Sequence, residues 1–254
     1  MLAIVSPAKK LQFSDDLPKG NMTQPLFKSE IKSLVKTLQD KSAADLMQMM
    51  HISEKLGTLN YERYQGFADQ FDVDTARQAA FLFQGDTYVG LQAESLSDDD
   101  LNYAQDHFAI LSGLYGILRP LDLMQPYRLE MGTKFSNDNG ENLYDFWGDK
   151  ITAYIKGAIK DHKAPYVINL ASNEYIKAVD AKSFGTAFIT CHFKENRDGK
   201  LKTIGLMAKR ARGMMARYII QNKVEAPSGL EGFTADGYAY DANLSDAQNL
   251  FFVR

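Results

Sequence analysis

Cysteine is the scarcest chemically useful residue in this sequence, with Cys191 alone among 254 residues. One cysteine excludes an internal disulfide bond and a metal site built on several thiolates. The four histidines, His51, His107, His162 and His192, show no pairing at the spacing of a metal motif. We therefore expect no metal and no other cofactor, and the low cysteine content favours the reducing cytoplasm.

Long apolar runs and a targeting leader are also lacking. No stretch approaches the roughly 18 apolar residues of a membrane span. The first residues, Met1 to Pro7, contain no basic segment, so we expect no signal peptide and no membrane partner. Phosphate-binding Walker loops, dinucleotide fingerprints and Gly-x-Ser-x-Gly elbows are missing as well, which removes several common enzyme classes.

Positive charge is locally concentrated although the chain as a whole carries a formal net charge of -3. Residues 200 to 224 contain no acid but hold these basic side chains: Lys200, Lys202, Lys209, Arg210, Arg212, Arg217 and Lys223. Read as a helix over 207–222, the segment places its apolar residues on one face and its basic residues on the other, around Gly213 and Ala216. The small residues would let a phosphate backbone approach the helix. The alternative is a solvated helix face with incidental charge.

The remaining periodicities predict alternating strands and helices. We predict strands at 2–5, 81–83, 108–111, 166–170, 184–193 and 202–207, and helices at 28–40, 42–50, 54–70, 97–105 and 142–160. Ser42, Ser53 and Ser97 are predicted N-caps. The fold class is α/β (mixed α+β), with a mixed sheet flanked by helices in one compact domain over 1–254.

Polar residues follow three of the predicted strands. Lys9 follows the first strand, Asp86 follows 81–83, and Asn169, Ser172 and Glu174 end or follow 166–170. In open α/β sheets, ligand sites gather at the carboxyl ends of strands. These residues therefore form a candidate pocket. The alternative is that they cap helix starts, Ser172 in particular.

The segment 111–132 combines apolar residues with glycines and prolines, which predicts a loop fixed against the body of the protein. Arg119 and Arg128 would present planar guanidinium groups to phosphate or carboxylate, with Tyr115 or Tyr127 beside them for stacking. The alternative is internal pairing with Asp122 and Glu130.

Several of these segments together resemble the YaaA family of bacterial peroxide-stress proteins; they are 4–9, 83–91, 111–132, 143–148, 168–175 and 209–220. The resemblance implies an unusual α/β fold, a positively charged cleft that binds DNA, and a role in limiting iron-driven oxidative damage. It also implies a helix-hairpin-helix-like element, which matches 42–60, with Ser53 and Lys55 at its second helix. The turn at 50–52 lacks the glycines usual in such hairpins, so a plain helical hairpin packed on the core is the alternative.

Two functional hypotheses follow. The first is a protein that binds duplex or branched DNA without sequence specificity, through Lys9, Ser53, Lys55, Arg119, Arg128, Lys209, Arg210, Arg212 and Arg217. The second is an enzyme acting on a small phosphorylated or nucleobase-like ligand, in a pocket that Lys9, Arg119 and Arg128 would line together with Asp86, Tyr127, Asn169 and Ser172. The sequence decides neither whether the protein is an enzyme nor its oligomeric state.

Overall fold

The computed structural model describes residues 1–13, 21–137 and 139–254. Its strands are β1 (Leu2–Val5), β2 (Lys10–Leu11), β3 (Arg77–Gln78), β4 (Phe83–Gln84), β5 (Phe108–Ser112), β6 (Gly116–Leu118), β7 (Leu123–Met124), β8 (Val167–Leu170), β9 (Phe188–Arg197), β10 (Lys200–Lys202), β11 (Ala239–Tyr240) and β12 (Asn249–Val253). Its α-helices are α1 (Lys28–Gln39), α2 (Ala43–Met50), α3 (Glu54–Gln65), α4 (Ala79–Leu82), α5 (Asp86–Leu91), α6 (Asp98–His107), α7 (Leu143–Trp147), α8 (Lys150–Ile159), α9 (Asn173–Ile176) and α10 (Gly205–Gln221).

The main sheet of the described residues is mixed and has the strand order β11-β12-β9-β8-β1-β5-β6. Five neighbouring strands, from β12 to β5, are parallel, and β6, β10 and β11 pair antiparallel at its margins. The central strand β1 is an unbroken apolar run that is buried throughout, as a strand covered on both faces must be. The predicted α/β class with a mixed sheet flanked by helices is confirmed.

Short local signals fix several helix starts as predicted. Ser42 and Ser97 each form a reciprocal capping box, with Asp45 and Asp100 respectively. Ser53 occupies the N-cap position of α3 but makes no side-chain capping bond. Helices α2 and α3 form a helical hairpin, and His51 supplies its left-handed turn residue with φ 53°.

The segment 111–132 is fixed against the core, as its composition predicted. Trp147 is fully buried, donates its indole N–H to the Gly113 carbonyl at 3.0 Å and packs on Gly116. Tyr115 is buried and holds the backbone of Gln125 through its hydroxyl. The loop that carries Arg119 and Arg128 is therefore anchored at both ends.

Helix α10 carries the basic face and packs on α5 as well as on β1, β8 and β9. A Cβ on Gly213 would lie 1.7 Å from the Thr87 carbonyl oxygen, and one on Gly90 would lie 2.2 Å from the Arg210 carbonyl oxygen. Gly213 and Ala216 are both buried. The expectation that they leave room for a phosphate backbone was wrong, because α5 occupies that space.

Several predicted boundaries differ from the structure. The predicted strand 184–193 is β9, which begins at Phe188, and the helix predicted over 54–70 ends at Gln65. The predicted strand 202–207 is β10 followed by the start of α10, since the hairpin at Asp198 and Gly199 returns only a short strand. The predicted helix 142–160 is divided at Gly148, whose φ of 44° breaks the helical path. The predicted strand 81–83 begins two residues later, after the short helix α4.

Candidate functional site

A cavity of about 340 Å³ opens at the carboxyl ends of β1 and β8, where the sequence predicted one. We call it the inner cavity. Its walls come from the residues after β1, the start of α5, the loop 127–130, the residues after β8, and α10. The structure thus brings these sequence-predicted residues together: Lys9, Asp86, Tyr127, Arg128, Ser172, Lys209 and Arg212. They are distant in sequence, so only the fold makes them neighbours.

A second, wider cavity of about 900 Å³ adjoins the first, and we call it the outer cavity. It lies between the end of α2, including His51, and the loop from Gly132 to Lys134. Four residues line both cavities: Lys9, Arg128, Glu130 and Glu174. Because the cavities share this wall, they form one continuous depression, which we call the trough.

Positive charge predominates in the trough. Its seven basic residues are Lys9, Lys10, Lys41, Arg128, Lys134, Lys209 and Arg212. Its four carboxylates are Asp45, Asp86, Glu130 and Glu174. A local excess of cations on a chain with net charge -3 focuses a positive potential at this surface.

One carboxylate accounts for the ion pairs between trough residues. Glu130 accepts from Lys9 at 2.6 Å and from Arg128 at 3.3 Å, so it bridges the two cations. Internal pairing of Arg128 with Glu130, the alternative considered from the sequence, is therefore present. It satisfies only the Nη2 side of the guanidinium group.

Two guanidinium nitrogens in the trough lack any hydrogen-bond partner. In the part of the chain that the structure describes, the fully enclosed side-chain atoms without a partner are Nε of Arg128 and Nε of Arg212. Both residues line the inner cavity. Burial lowers the pKa of Arg212, because its charge is desolvated and no carboxylate stands beside it. A buried unsatisfied donor is unusual, and two beside one cavity indicate a site for an anion.

Three more polar side chains line the inner cavity, and two of them are unpaired among the described residues. Neither Lys209 nor Asp86 has an ion pair or side-chain hydrogen bond with another described residue, and both line the inner cavity. Ser172 stands at the N-cap of α9 without capping it. Its N–H donates to Ser6 Oγ at 2.9 Å, and its Oγ accepts from Ser6 at 3.2 Å. These bonds tie the two strand ends together.

Three buried tyrosines contribute to the lining: Tyr88, Tyr127 and Tyr175. Burial raises the pKa of all three phenols, so each stays neutral. The Tyr88 hydroxyl donates to the Ser6 carbonyl, and the Tyr127 hydroxyl shares a 2.5 Å hydrogen bond with Ser112. Their rings give the cavity an aromatic part beside its cationic one.

Several sequence-predicted residues lie outside the trough. Arg119 is held by the fully buried Asp122 at 2.8 Å and by the Gln24 carbonyl, as the pairing alternative predicted. Arg217 donates to the carbonyls of Leu91 and Gln92 and to Ser95 Oγ, where α5 ends.

Asn169 is buried; it accepts from the Ala171 N–H and donates to Thr190. The outer surface holds three more candidates, Arg210, Ser53 and Lys55, which are exposed and line neither cavity. Ser53 and Lys55 follow His51, which borders the outer cavity, so they lie near its rim.

Sequence reasoning missed the outer half of the trough. Lys41 precedes α2, and Lys134 follows the loop 111–132, so neither belongs to a recognisable motif. The proximity of Lys134 to that unusual loop is the one sequence signal that could have found it. Lys10, which directly follows Lys9, also lines the inner cavity, and no motif in the sequence marks it.

No helix in residues 1–13, 21–137 or 139–254 has the length and apolar character that crossing a bilayer requires. Nor do three or more histidine, cysteine, aspartate or glutamate side chains meet there in a way that would hold a metal ion.

Comparisons with known proteins agree with the family that the sequence resembles. The family model described as peroxide stress protein YaaA matches residues 1–244. A UPF0246 protein of Saccharophagus degradans is 48% identical over all of this chain and 99% of its own length. UPF0246 proteins of Bordetella petrii and Alteromonas mediterranea are each 49% identical over the whole chain, covering 99% and 98% of those proteins. This chain belongs to the YaaA family of peroxide stress proteins.

Proposed function

We propose that this peroxide stress protein binds DNA through the trough, by contacts to phosphate and with little sequence preference. One observation carries the proposal: the enclosed nitrogens without partners, on Arg128 and Arg212, border the same cavity. Phosphate oxygens accept from guanidinium groups in charge-assisted hydrogen bonds, so a phosphate in this cavity would pair with the two arginine side chains.

The distribution of cations supports a path for a strand of DNA. It would run from Lys209 and Arg212, past Lys9 and Arg128, to the outer cavity. Lys41 and Lys134 would extend it to the helical hairpin, and the start of α3 at Ser53 would add free backbone N–H groups. The hairpin would then act as the helix-hairpin-helix-like element that the family resemblance implies.

Contacts of this kind carry no base sequence information. Helix α10 is packed on α5 and the sheet along the side that holds Gly213, so its basic residues reach outward only from one flank. We therefore expect binding dominated by electrostatics and release of counterions. Covering DNA in this way would limit the damage that iron and peroxide cause together, and the effect on iron would be indirect.

Fluorescence anisotropy with labelled duplex, four-way junction and single-stranded DNA of equal length tests the proposal. We expect binding to duplex or junction that weakens steeply between about 50 and 200 mM salt, with similar affinity for unrelated sequences. Absence of binding at the lowest salt concentration, or an affinity that does not change with salt concentration, would refute the proposal. Arg119 is a control site: Arg119→Lys should leave the salt dependence unchanged, because its guanidinium is held by Asp122 away from the trough.

A second candidate function is an enzyme acting on a small phosphorylated or nucleobase-like ligand. The inner cavity favours it, because its volume of about 340 Å³ suits a small molecule and it unites Lys9, Asp86 and Arg128. Calorimetric titration with inorganic phosphate and with mononucleotides tests this candidate. Saturable binding that Arg212→Met abolishes, in a protein that binds no DNA, would favour it, and no heat with any of these ligands at millimolar concentration would count against it.

A further inference from the structure

The inner cavity opens directly onto the proposed path of the DNA. Lys9, Arg128, Glu130 and Glu174 line both cavities, so a strand that follows the cations must pass the entrance of the inner one. The inner cavity's volume of about 340 Å³ lies at the lower end of ligand pockets, too small for a duplex and adequate for one nucleotide. A backbone clamp alone needs no such side cavity.

The lining of the inner cavity divides into three chemical parts. Arg212 and Lys209, which form no ion pair with another described residue, offer cations on one wall. Buried tyrosines, among them Tyr88 and Tyr175, offer aromatic surface. The Asp86 carboxylate has no partner among the described residues and offers a hydrogen-bond acceptor. A nucleotide carries the matching parts: an anionic phosphate, a flat apolar base, and N–H groups at the base edge.

The cavity is built into rigid elements. Its α5 wall is held against α10 by the close approach at Gly213 and Gly90. Its strand-end wall is joined by the hydrogen bonds between Ser6 and Ser172, and the Tyr88 hydroxyl donates to the Ser6 carbonyl. A site of this kind exists before its ligand arrives, which lowers the entropic cost of binding.

We propose that the inner cavity accepts one nucleotide of the bound DNA strand, held outside the base stack. Arg212 and Lys209 hold its phosphate, its base lies against the tyrosines, and Asp86 accepts from the base edge. This inference rests on the proposed function, since the strand must first lie in the trough. Extruding a base costs unpairing and unstacking free energy, so a base that is already unpaired enters most readily.

Three duplexes with one sequence test the proposal by anisotropy at fixed salt: fully paired, with a single-nucleotide bulge, and with the same bulge lacking its base. The two bulged duplexes carry the same number of phosphates, and the fully paired duplex carries one fewer. We expect the base-bearing bulge to bind about tenfold tighter than the abasic bulge, the effect of one base on an aromatic surface. Equal affinities for the two bulges would overturn the inference and leave the proposed function standing.

Variants locate the effect in the inner cavity. Ala8 is partly exposed and lines this cavity, so Ala8→Phe should fill it and bring the two bulges to one affinity. Ala242→Phe, on an exposed loop, is the matched control and should keep the tenfold difference. Asp86→Asn removes no hydrogen bond or ion pair with a described residue and keeps the size of the side chain, so it guards against a folding artefact. It should reduce the difference for a bulged cytosine, whose amino group donates, more than for a bulged N3-methylthymine, whose base edge has no N–H donor.

Free nucleotides separate the two sources of the ligand. Millimolar mononucleotide should lower the affinity for the base-bearing bulge to the affinity measured for the abasic bulge. It should not displace the fully paired duplex. If the protein binds mononucleotide but no DNA, the nucleotide comes from solution, and both the strand-capture inference and the DNA proposal are refuted. If base-bulge binding survives in Ala8→Phe while Ala242→Phe matches the unsubstituted protein, the base lies elsewhere and the inference is refuted alone.

Discussion

Arg212 and Arg217 lie on the same helix, and the same substitution should destabilise the protein at Arg217 but not at Arg212. Arg217 donates from Nη1 to the Leu91 carbonyl at 3.0 Å, to the Gln92 carbonyl at 3.0 Å and to Ser95 Oγ at 2.8 Å. Arg212 has an enclosed Nε without a partner among the described residues. The first arginine stabilises the packing of α10 on the end of α5, whereas our proposal gives the second a role in binding.

The magnitudes follow from these contacts. A net contribution of about 1 kcal/mol for each hydrogen bond means that Arg217→Met should lower the free energy of unfolding by about 2–3 kcal/mol. For a chain of this size that lowers Tm by about 5–10 °C. Arg212→Met keeps the apolar stem and removes a donor whose burial costs about 1–3 kcal/mol, partly offset by lost packing of the guanidinium group. We expect Tm to stay the same or to rise by about 1–4 °C.

Thermal unfolding in phosphate-free buffer, without DNA, measures both variants against the unsubstituted protein. Anisotropy then measures their affinity for duplex at a temperature where all are folded. Arg212→Met should bind several-fold more weakly although it is as stable as the unsubstituted protein, and Arg217→Met should bind normally although it is less stable. If Arg212→Met loses more than about 1 kcal/mol without ligand, or binds DNA normally, the ligand-binding role of Arg212 is refuted.

Three more predictions concern the scaffold. Gly213→Ala should lower the free energy of unfolding by at least about 2 kcal/mol in urea titration, because its Cβ would lie 1.7 Å from the Thr87 carbonyl oxygen; an unchanged midpoint would contradict this packing. Burial raises the pKa of Cys191 to about 12, so its thiol should resist alkylation and millimolar peroxide until the protein unfolds, and mass spectrometry showing native modification would contradict it. Burial lowers the pKa of His107 and of His162, whose rings stack at 4.5 Å, so these histidines bind fewer protons in the folded state than in the unfolded state. Their contribution should therefore make Tm fall as pH drops below about 6.5 and level off below the folded pKa values. His162→Gln should flatten that fall.

The elements that carry their own local signal were predicted from the sequence. The buried run of β1 and the capping boxes at Ser42 and Ser97 depend on a few adjacent residues, so their patterns sufficed. The role of Gly213 could not be predicted, because it depends on which helix packs against α10. From the sequence alone, a close approach to α5 and a close approach to phosphate look alike.

The two arginines of the loop 111–132 show the same limit for the site. Each has an acid nearby in sequence, Asp122 for Arg119 and Glu130 for Arg128. Asp122 is fully buried and satisfies Arg119, whereas Glu130 is shared with Lys9 and leaves one nitrogen of Arg128 unpaired. Tertiary placement alone distinguishes a structural arginine from one that faces a cavity.

The salt dependence of duplex binding in two charge-reversal variants tests the trough most directly. Lys209→Glu changes a trough residue, and Lys200→Glu makes the same change at an exposed position on β10 that lines neither cavity. For the unsubstituted protein we expect log Kobs to fall with log[salt] at a slope of about -3 or steeper. Lys209→Glu should make that slope shallower by about 1 or more, and Lys200→Glu should leave it unchanged. Equal slopes for the two variants would contradict the assignment of DNA binding to the trough.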